Sequence, residues 1–280
     1  MPTIVVIGSV NLDLVATVDR LPAPGETVTG AELSRFPGGK GANQALAAQR
    51  LGADVKLVAC VGKDAAADEA LALMCDGGVE LSNCKAVDDV ATGTALIAVA
   101  PSGENQIVVA PGANRRLTTE SLDVPAADAL ICQLEVPTDT VAKAVVEFDG
   151  FVCVNLAPAM HVDVSVLQRA DLIIVNESEA AWYGESLSAC TGMIATTFGA
   201  AGAVLSKGGE DIARTKPPRV VAVDTTAAGD TFTAALTVAL VEGQEPEAAL
   251  QFACAAGAAA ATRRGAQPSL PTRDEVIALL

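Results

Sequence analysis

The chain has 280 residues, 51% of them hydrophobic and 19% charged, enough apolar side chain for one large core. Eighteen basic against 34 acidic side chains leave a formal net charge of −16, which repels nucleic acid and anionic membranes and argues against both as partners. Seven cysteines with no C-x-x-C pair read as small buried hydrophobes of a reducing cytosol, and a single histidine, His161, argues against a His-rich zinc site. Residues 1–8 carry no cationic segment and no apolar run reaches the ~18 residues of a membrane span, so the expected location is cytoplasmic.

Short β-branched runs alternate with longer helical patterns along the chain. Strands are expected over 3–7, 55–60, 129–132, 151–154, 171–175, 193–197 and 202–206. Helices are expected over 41–51, 65–75, 139–147, 177–183, 229–241 and 246–262. This rhythm predicts a single α/β domain over 1–280, a doubly wound and mostly parallel sheet with helices on both faces. Ligands of such sheets lie beyond the carboxyl ends of the strands. Two stretches, 15–33 and 92–109, break the rhythm with strands and turns but no helix. They predict a small β-lid built from about 14–34 and 92–110, able to keep water from a transferred phosphoryl group. No internal repeat or linker divides the chain, and the alanine-rich 255–261 reads as a tightly packed helix.

Three strings carry the chemistry. The strongest is Val223-Asp224-Thr225-Thr226-Ala227-Ala228-Gly229-Asp230-Thr231-Phe232. Small residues run into a helix start, where free N–H groups and the helix dipole face an approaching phosphate. Ala227, Ala228 and Gly229 thus form a candidate anion hole, and Asp230 beside it can take a proton from an attacking hydroxyl. The second string is Phe36-Pro37-Gly38-Gly39-Lys40-Gly41-Ala42-Asn43-Gln44-Ala45. It is a Gly-rich helix opening with neither Walker A nor dinucleotide spacing, and it places Lys40 and Asn43 where they can converge on a small polyol. The third is Gly8-Ser9-Val10-Asn11-Leu12-Asp13, where Asn11 and Asp13 share one side of an extended chain and can bind two hydroxyls. Taken alone, Asn11 and Asp13 read equally as a turn-forming pair.

In this order and at these distances the three strings resemble the ribokinase (PfkB) family of carbohydrate kinases, over nearly the whole chain. Its ribose-phosphorylating members are resembled most, through Gly93-Thr94-Ala95-Leu96-Ile97, Gly103-Glu104-Asn105, Pro111-Gly112-Ala113-Asn114 and Arg263-Arg264-Gly265-Ala266-Gln267-Pro268-Ser269. The resemblance implies ATP-dependent phosphorylation of D-ribose at O5, with Asp230 as base and an anion hole at Ala227, Ala228 and Gly229. It implies a sugar site of Asn11, Asp13, Gly39, Lys40, Gly41, Asn43 and Glu135, the last standing in Gln133-Leu134-Glu135-Val136-Pro137.

The same resemblance assigns ATP to Asn176, Thr197, Gly199, Gly202, Gly229 and Cys254, where relatives often carry a histidine or asparagine in place of the cysteine. Asn176-Glu177-Ser178-Glu179 matches the family's N-x-x-E element, with Asn176 and Glu179 acting on Mg²⁺ indirectly; the same residues also read as a helix capping box. For an activating K⁺ it points to Asp224, Thr226, Ala260, Arg263, Gly265 and Ser269, all through oxygen. It further implies a homodimer paired through the lid. A related kinase for deoxyribose, another sugar or a nucleoside is the alternative. A catalytically silent sugar-binding regulator would lack Asp230 or the anion hole, and an NAD-dependent enzyme would carry a glycine fingerprint.

Overall fold

The computed structural model describes residues 1–280, and its first strand shows how the sequence builds the core. In β1 (Thr3–Ile7), Ile4 and Val6 face one apolar cluster while Val5 and Ile7 face another. A strand buried on both faces requires this period of two with no polar side.

Then follow β2 (Asn11–Thr17), β3 (Glu32–Gly38), α1 (Lys40–Arg50), β4 (Asp54–Gly62), α2 (Ala65–Asp76) and β5 (Cys84–Val87). Next come β6 (Gly93–Val99), β7 (Asn105–Ala110), β8 (Ala129–Cys132), α3 (Thr138–Glu147), β9 (Phe151–Asn155) and α4 (Val164–Arg169). The chain continues through β10 (Leu172–Asn176), α5 (Glu177–Tyr183), β11 (Met193–Thr197), β12 (Ala203–Lys207) and β13 (Glu210–Thr215). It closes with α6 (Ala228–Val241), α7 (Pro246–Ala260) and α8 (Arg273–Ile277).

Nine strands form the large sheet in the order β13-β12-β11-β10-β9-β8-β1-β4-β5, parallel except for the antiparallel edge β11-β12-β13. Helices α1, α2, α6 and α7 cover one face through Leu46, Met74, Leu236 and Leu250. Helices α3, α4 and α5 cover the other through Val141, Val166 and Tyr183. The chain first extends the sheet from β1 through β4 to β5, then returns to β8 on the other side of β1 and builds outward. The carboxyl ends of β1 and β8 therefore meet where the strand order reverses, the place where such sheets bind ligands.

The two stretches expected to leave the main sheet form a separate sheet, β3-β2-β6-β7. Its strands reach further inward than 14–34: β2 starts at Asn11, paired to Gly38 and Gly93, and β3 runs to Gly38. The polar Asn11 and Asp13 mask the strand signal in the sequence, because buried positions carry polar rather than apolar side chains there.

Alanine lets α6 and α7 pack closely: a Cβ on Gly257 would lie 3.1 Å from the Ala228 carbonyl oxygen. The cysteine expectation holds for Cys60, Cys132, Cys153 and Cys254, which are buried. Cys84 and Cys190 are half-buried and Cys75 is exposed, because α2 turns Ala67, Ala70 and Met74 inward instead. Short α4 and α8 and the edge strands β5 and β13 lie outside the predicted set. Each is too short or too exposed to show a periodicity.

Candidate active site

The residues just after β1 and β8 face one another. Glu135 Oε2 accepts the Ser9 hydroxyl and, at 3.0 Å, the backbone N–H of Lys40. A carboxylate from another strand thus satisfies one free amide at the start of α1, whose own N-cap, Gly39, has no side chain to do so. Gly39 has φ +90, and Gly41 packs so closely that a Cβ would lie 2.5 Å from the Ser9 nitrogen. The Gly-rich opening is therefore a close approach of α1 to the end of β1.

One turn into α1, Asn43 Nδ2 donates to Asp230 Oδ2 at 2.9 Å and Gln44 Nε2 donates to Asp230 Oδ1 at 2.9 Å. Asp230 sits in the first turn of α6 and is 5% exposed. Burial raises its carboxyl above the usual range, while Lys40, Asn43 and Gln44 pull it back. Burial alone would lower the Lys40 ammonium. Asp230, Glu135 and Glu179 together outweigh it and hold the ammonium above its ordinary value. These residues form one electrostatic unit in which a cation is ringed by three carboxylates.

Asp13 is buried nearby and accepts no hydrogen bond from the protein. Burial, then repulsion from Glu135 and Asp230, raises it to about 7. Asn114 Nδ2 donates to Asn11 Oδ1 at 2.8 Å, and its own Oδ1 accepts the Val10 amide at 2.9 Å. That fixes the Asn11 amide with its Nδ2 donor unused. Asn43 Oδ1 is likewise buried without a partner. The site thus holds a free donor, a free acceptor and an unpartnered carboxyl, a set suited to a polyhydroxylated ligand.

At the start of α6 the backbone N–H groups of Ala227, Gly229 and Asp230 have no acceptor within the protein. No atom lies within 4 Å of the place where a Gly229 Cβ would stand, so this face of the turn is open. Open amides and a buried carboxylate at one helix start bind an oxyanion and a hydroxyl side by side.

Asn176 and Glu179 form a capping box: Asn176 Oδ1 accepts the Glu179 amide and Glu179 Oε2 accepts the Asn176 amide, both at 2.8 Å. One Glu179 oxygen remains, and burial raises its carboxyl although the Asn176 amide opposes this. Thr197 ends β11, and Gly199 (φ +54) and Gly202 (φ +108) take the left-handed backbone of the turn into β12. Cys254 is buried in α7, where burial pushes its thiol up to about 12.

Asp224 Oδ1 accepts the Thr226 amide at 2.9 Å and its hydroxyl, and Oδ2 accepts the Gly265 amide at 2.9 Å. Ser269 is buried on the same segment and donates to the Ala266 carbonyl. Two backbone N–H groups and one hydroxyl therefore hold both Asp224 oxygens and tie the turn before α6 to the Gly265 segment.

Gln44, Gln133, Asn155, Asn114 and Ser9 were not singled out by the sequence, yet all join this network. Gln44 and Gln133 stand inside the quoted strings beside Asn43 and Glu135. Ser9 and Asn114 also stand inside quoted strings, and the contact of Asn114 with Asn11, 103 residues away, shows what Asn114 does.

Relatives match this chain over its full length. Ribokinase of Bacillus subtilis (strain 168) is 39% identical over 294 residues, covering 100% of both chains. The crystal structure of ribokinase from Thermotoga maritima superposes with a TM-score of 0.91 at 34% identity, covering 100% of this chain and 99% of the other. Arabidopsis thaliana ribokinase complexed with ribose and ATP gives 0.86 at 31% identity, covering 99% and 98%. Residues 1–273 match the profile described as pfkB family carbohydrate kinase, and the chain belongs to that family.

Proposed function

We propose that this chain transfers the terminal phosphoryl group of ATP to the 5-hydroxyl of D-ribose, giving D-ribose 5-phosphate. The observation that carries the reading is the start of α6, where the Gly229 and Asp230 amides are unpaired beside the buried Asp230 carboxylate. Full-length relatives named ribokinase support the choice of sugar.

Asn11 Nδ2, the carboxyls of Asp13 and Glu135 and the backbone at Gly39 and Gly41 hold the sugar. Asn43 orients the base and meets the sugar through Oδ1. Asp230 accepts the proton of the attacking hydroxyl. Ala227 and Gly229 present free amides to the migrating phosphoryl group, whereas the Ala228 amide donates to the Thr225 carbonyl at 3.2 Å; Lys40 balances the charge of the carboxylates around it. Thr197, Gly199, Gly202 and Cys254 line the nucleotide side, with Asn176 and Gly229 toward the phosphates.

Asn176 and the free oxygen of Glu179 would act on Mg²⁺ indirectly, and that ion would supply positive charge to the phosphates. Asp224, Thr226, Ala260, Arg263, Gly265 and Ser269 would hold K⁺ through oxygen, and the ion would add positive charge beside the turn that carries the amides. The small sheet acts as a lid on a single domain spanning 1–280. Its exposed Leu33, Leu96, Ile107 and Val108 support pairing of two copies through this sheet in the cytoplasm.

The deciding experiment is a panel of ribose, deoxyribose, other sugars and nucleosides in a coupled ADP assay. Ribose is expected to give the highest kcat/KM; a nucleoside or deoxyribose well ahead of ribose replaces the sugar assignment. Asp230→Asn is expected to lose about 10²–10⁴-fold in kcat while still binding sugar, and near-normal turnover removes Asp230 as base.

A further inference from the structure

Behind Asp230 lies a chain of three side-chain amides, Gln44, Asn155 and Gln133, that the sugar and the nucleotide do not need to touch. Gln133 Nε2 donates to Gln44 Oε1 at 2.7 Å. Gln44 Nε2 donates both to Asp230 Oδ1 at 2.9 Å and to Asn155 Oδ1 at 3.1 Å. Asn155 Nδ2 in turn donates to the Ile174 carbonyl at 3.2 Å. Gln44 and Gln133 are fully buried and Asn155 nearly so.

The order of donors in this chain has only one sense. Ile174 offers a carbonyl, which accepts only, so Asn155 must turn its Nδ2 toward β10 and its Oδ1 toward Gln44. Gln44 then faces two acceptors, Asn155 Oδ1 and Asp230 Oδ1, and must present its Nε2 to both. The Gln44 oxygen is left for Gln133, whose Nε2 meets it. Flipping Gln44 would set its oxygen against two other oxygens, so the amide is latched from both sides. The far end is shaped as well: Gln133 Oε1 occupies the space beside Gly8, where a Cβ would stand 2.0 Å from it. Any residue larger than glycine at the carboxyl end of β1 would push Gln133 out of line.

We propose that Gln44 is the positioning residue of the phosphoryl-transfer base, holding Asp230 Oδ1 with a donor whose direction is set by Asn155 and Gln133. The inference rests on the reading of Asp230 as base. It adds that the base depends on residues reaching back to β9 and β8, beyond the ligand. Asn43 holds Oδ2 from the ligand side, so the two α1 side chains pin both carboxylate oxygens and fix the plane of the group. A pinned carboxylate presents its remaining lone pairs in one direction, and a donor on Oδ1 favours the ionised form that can take a proton.

The test uses Gln44→Met, close in volume but without a donor, together with Asn155→Leu. The carboxyl carbon of Asp230 is followed by NMR in aspartate-labelled protein without substrate, its signal identified by its loss in Asp230→Asn. In Gln44→Met the Asp230 midpoint is expected to rise, and the acid limb of the kcat/KM profile to move up by about one pH unit. The ribose KM is expected to change little. Asn155→Leu shifts both in the same direction by less, and decides the matter if Gln44→Met does not fold. A folded Gln44→Met with the wild-type midpoint and acid limb overturns the proposal, as does a downward shift. If the wild-type protein leaves ribose untouched, the sugar assignment falls while the substrate-free titration still decides the role of Gln44.

Discussion

Glu135 and Lys40 meet through a bond that is not the ion pair their charges suggest: the Glu135 carboxylate accepts the backbone N–H of Lys40 at 3.0 Å, joining positions 95 residues apart. The loop after β8 therefore sets where α1 begins, and with it where Asn43 and Gln44 stand. Glu135→Ala leaves the Lys40 amide and the Ser9 hydroxyl unpaired, at a cost of about 1–3 kcal/mol. Urea titration is expected to show that loss, with a sugar KM raised more than kcat is lowered. Unchanged stability and KM would place Glu135 outside the site.

Gly93 is held between Asn11 and Asn114. A Cβ there would lie 2.2 Å from Asn11 Oδ1 and 2.4 Å from Asn114 Nδ2, so Gly93→Ala must break the pairing of the two amides. The variant is expected to fold with a lower melting temperature and to bind sugar more weakly, read by thermal shift with and without ribose. A wild-type sugar-induced shift would show that the orientation of Asn11 does not matter.

Asp13 gives a pH signature. Folding raises its carboxyl from 3.8 to about 7, through burial first and then Glu135 and Asp230. Between those values the folded protein holds a proton that the unfolded chain releases. Stability is therefore greatest at the acid end of this window and falls as pH rises through it. Asp13→Asn removes the effect: at about pH 8 it is expected to be more stable than wild type by about 1–3 kcal/mol, with the gap closing near pH 4. The same variant is expected to raise the sugar KM. Equal pH slopes for both proteins in chemical denaturation would refute the assignment.

The proposed K⁺ site at Asp224 predicts cation dependence. Turnover in K⁺ is expected to exceed turnover in a bulky tetraalkylammonium salt at equal ionic strength, and Asp224→Ala is expected to abolish that difference. Equal rates in the two salts would sink the cation site.

The sheet and the open helix start before Asp230 were legible in the sequence because each follows from a local pattern. β1 shows an unbroken apolar run, and the helix start at Ala228 shows small residues followed by Asp230. The inner ends of β2 and β3 were not legible, since buried polar side chains at Asn11 and Asp13 and closely approached glycines stand where an apolar strand pattern would show. The amides behind Asp230 were hidden for another reason. Gln44, Gln133 and Asn155 come from α1, the segment after β8 and the end of β9, and only folding reveals that their donors and acceptors complement one another. Asn176 and Glu179 remained double in meaning: the capping box uses one Glu179 oxygen and leaves the other.

Strand β2 begins with Asn11 and Asp13 and continues unbroken to Thr17, paired along its full length with β3 and β6. Four residues of extended chain span about 13 Å, with no joint between the end that carries Asn11 and Asp13 and the end that belongs to the outer sheet. Tilting that sheet must swing both polar side chains, as the far arm of a lever moves with the near one. A force applied at Thr17 would register as a change in how tightly a hydroxyl is gripped, so ligand affinity in this molecule is also a mechanical quantity.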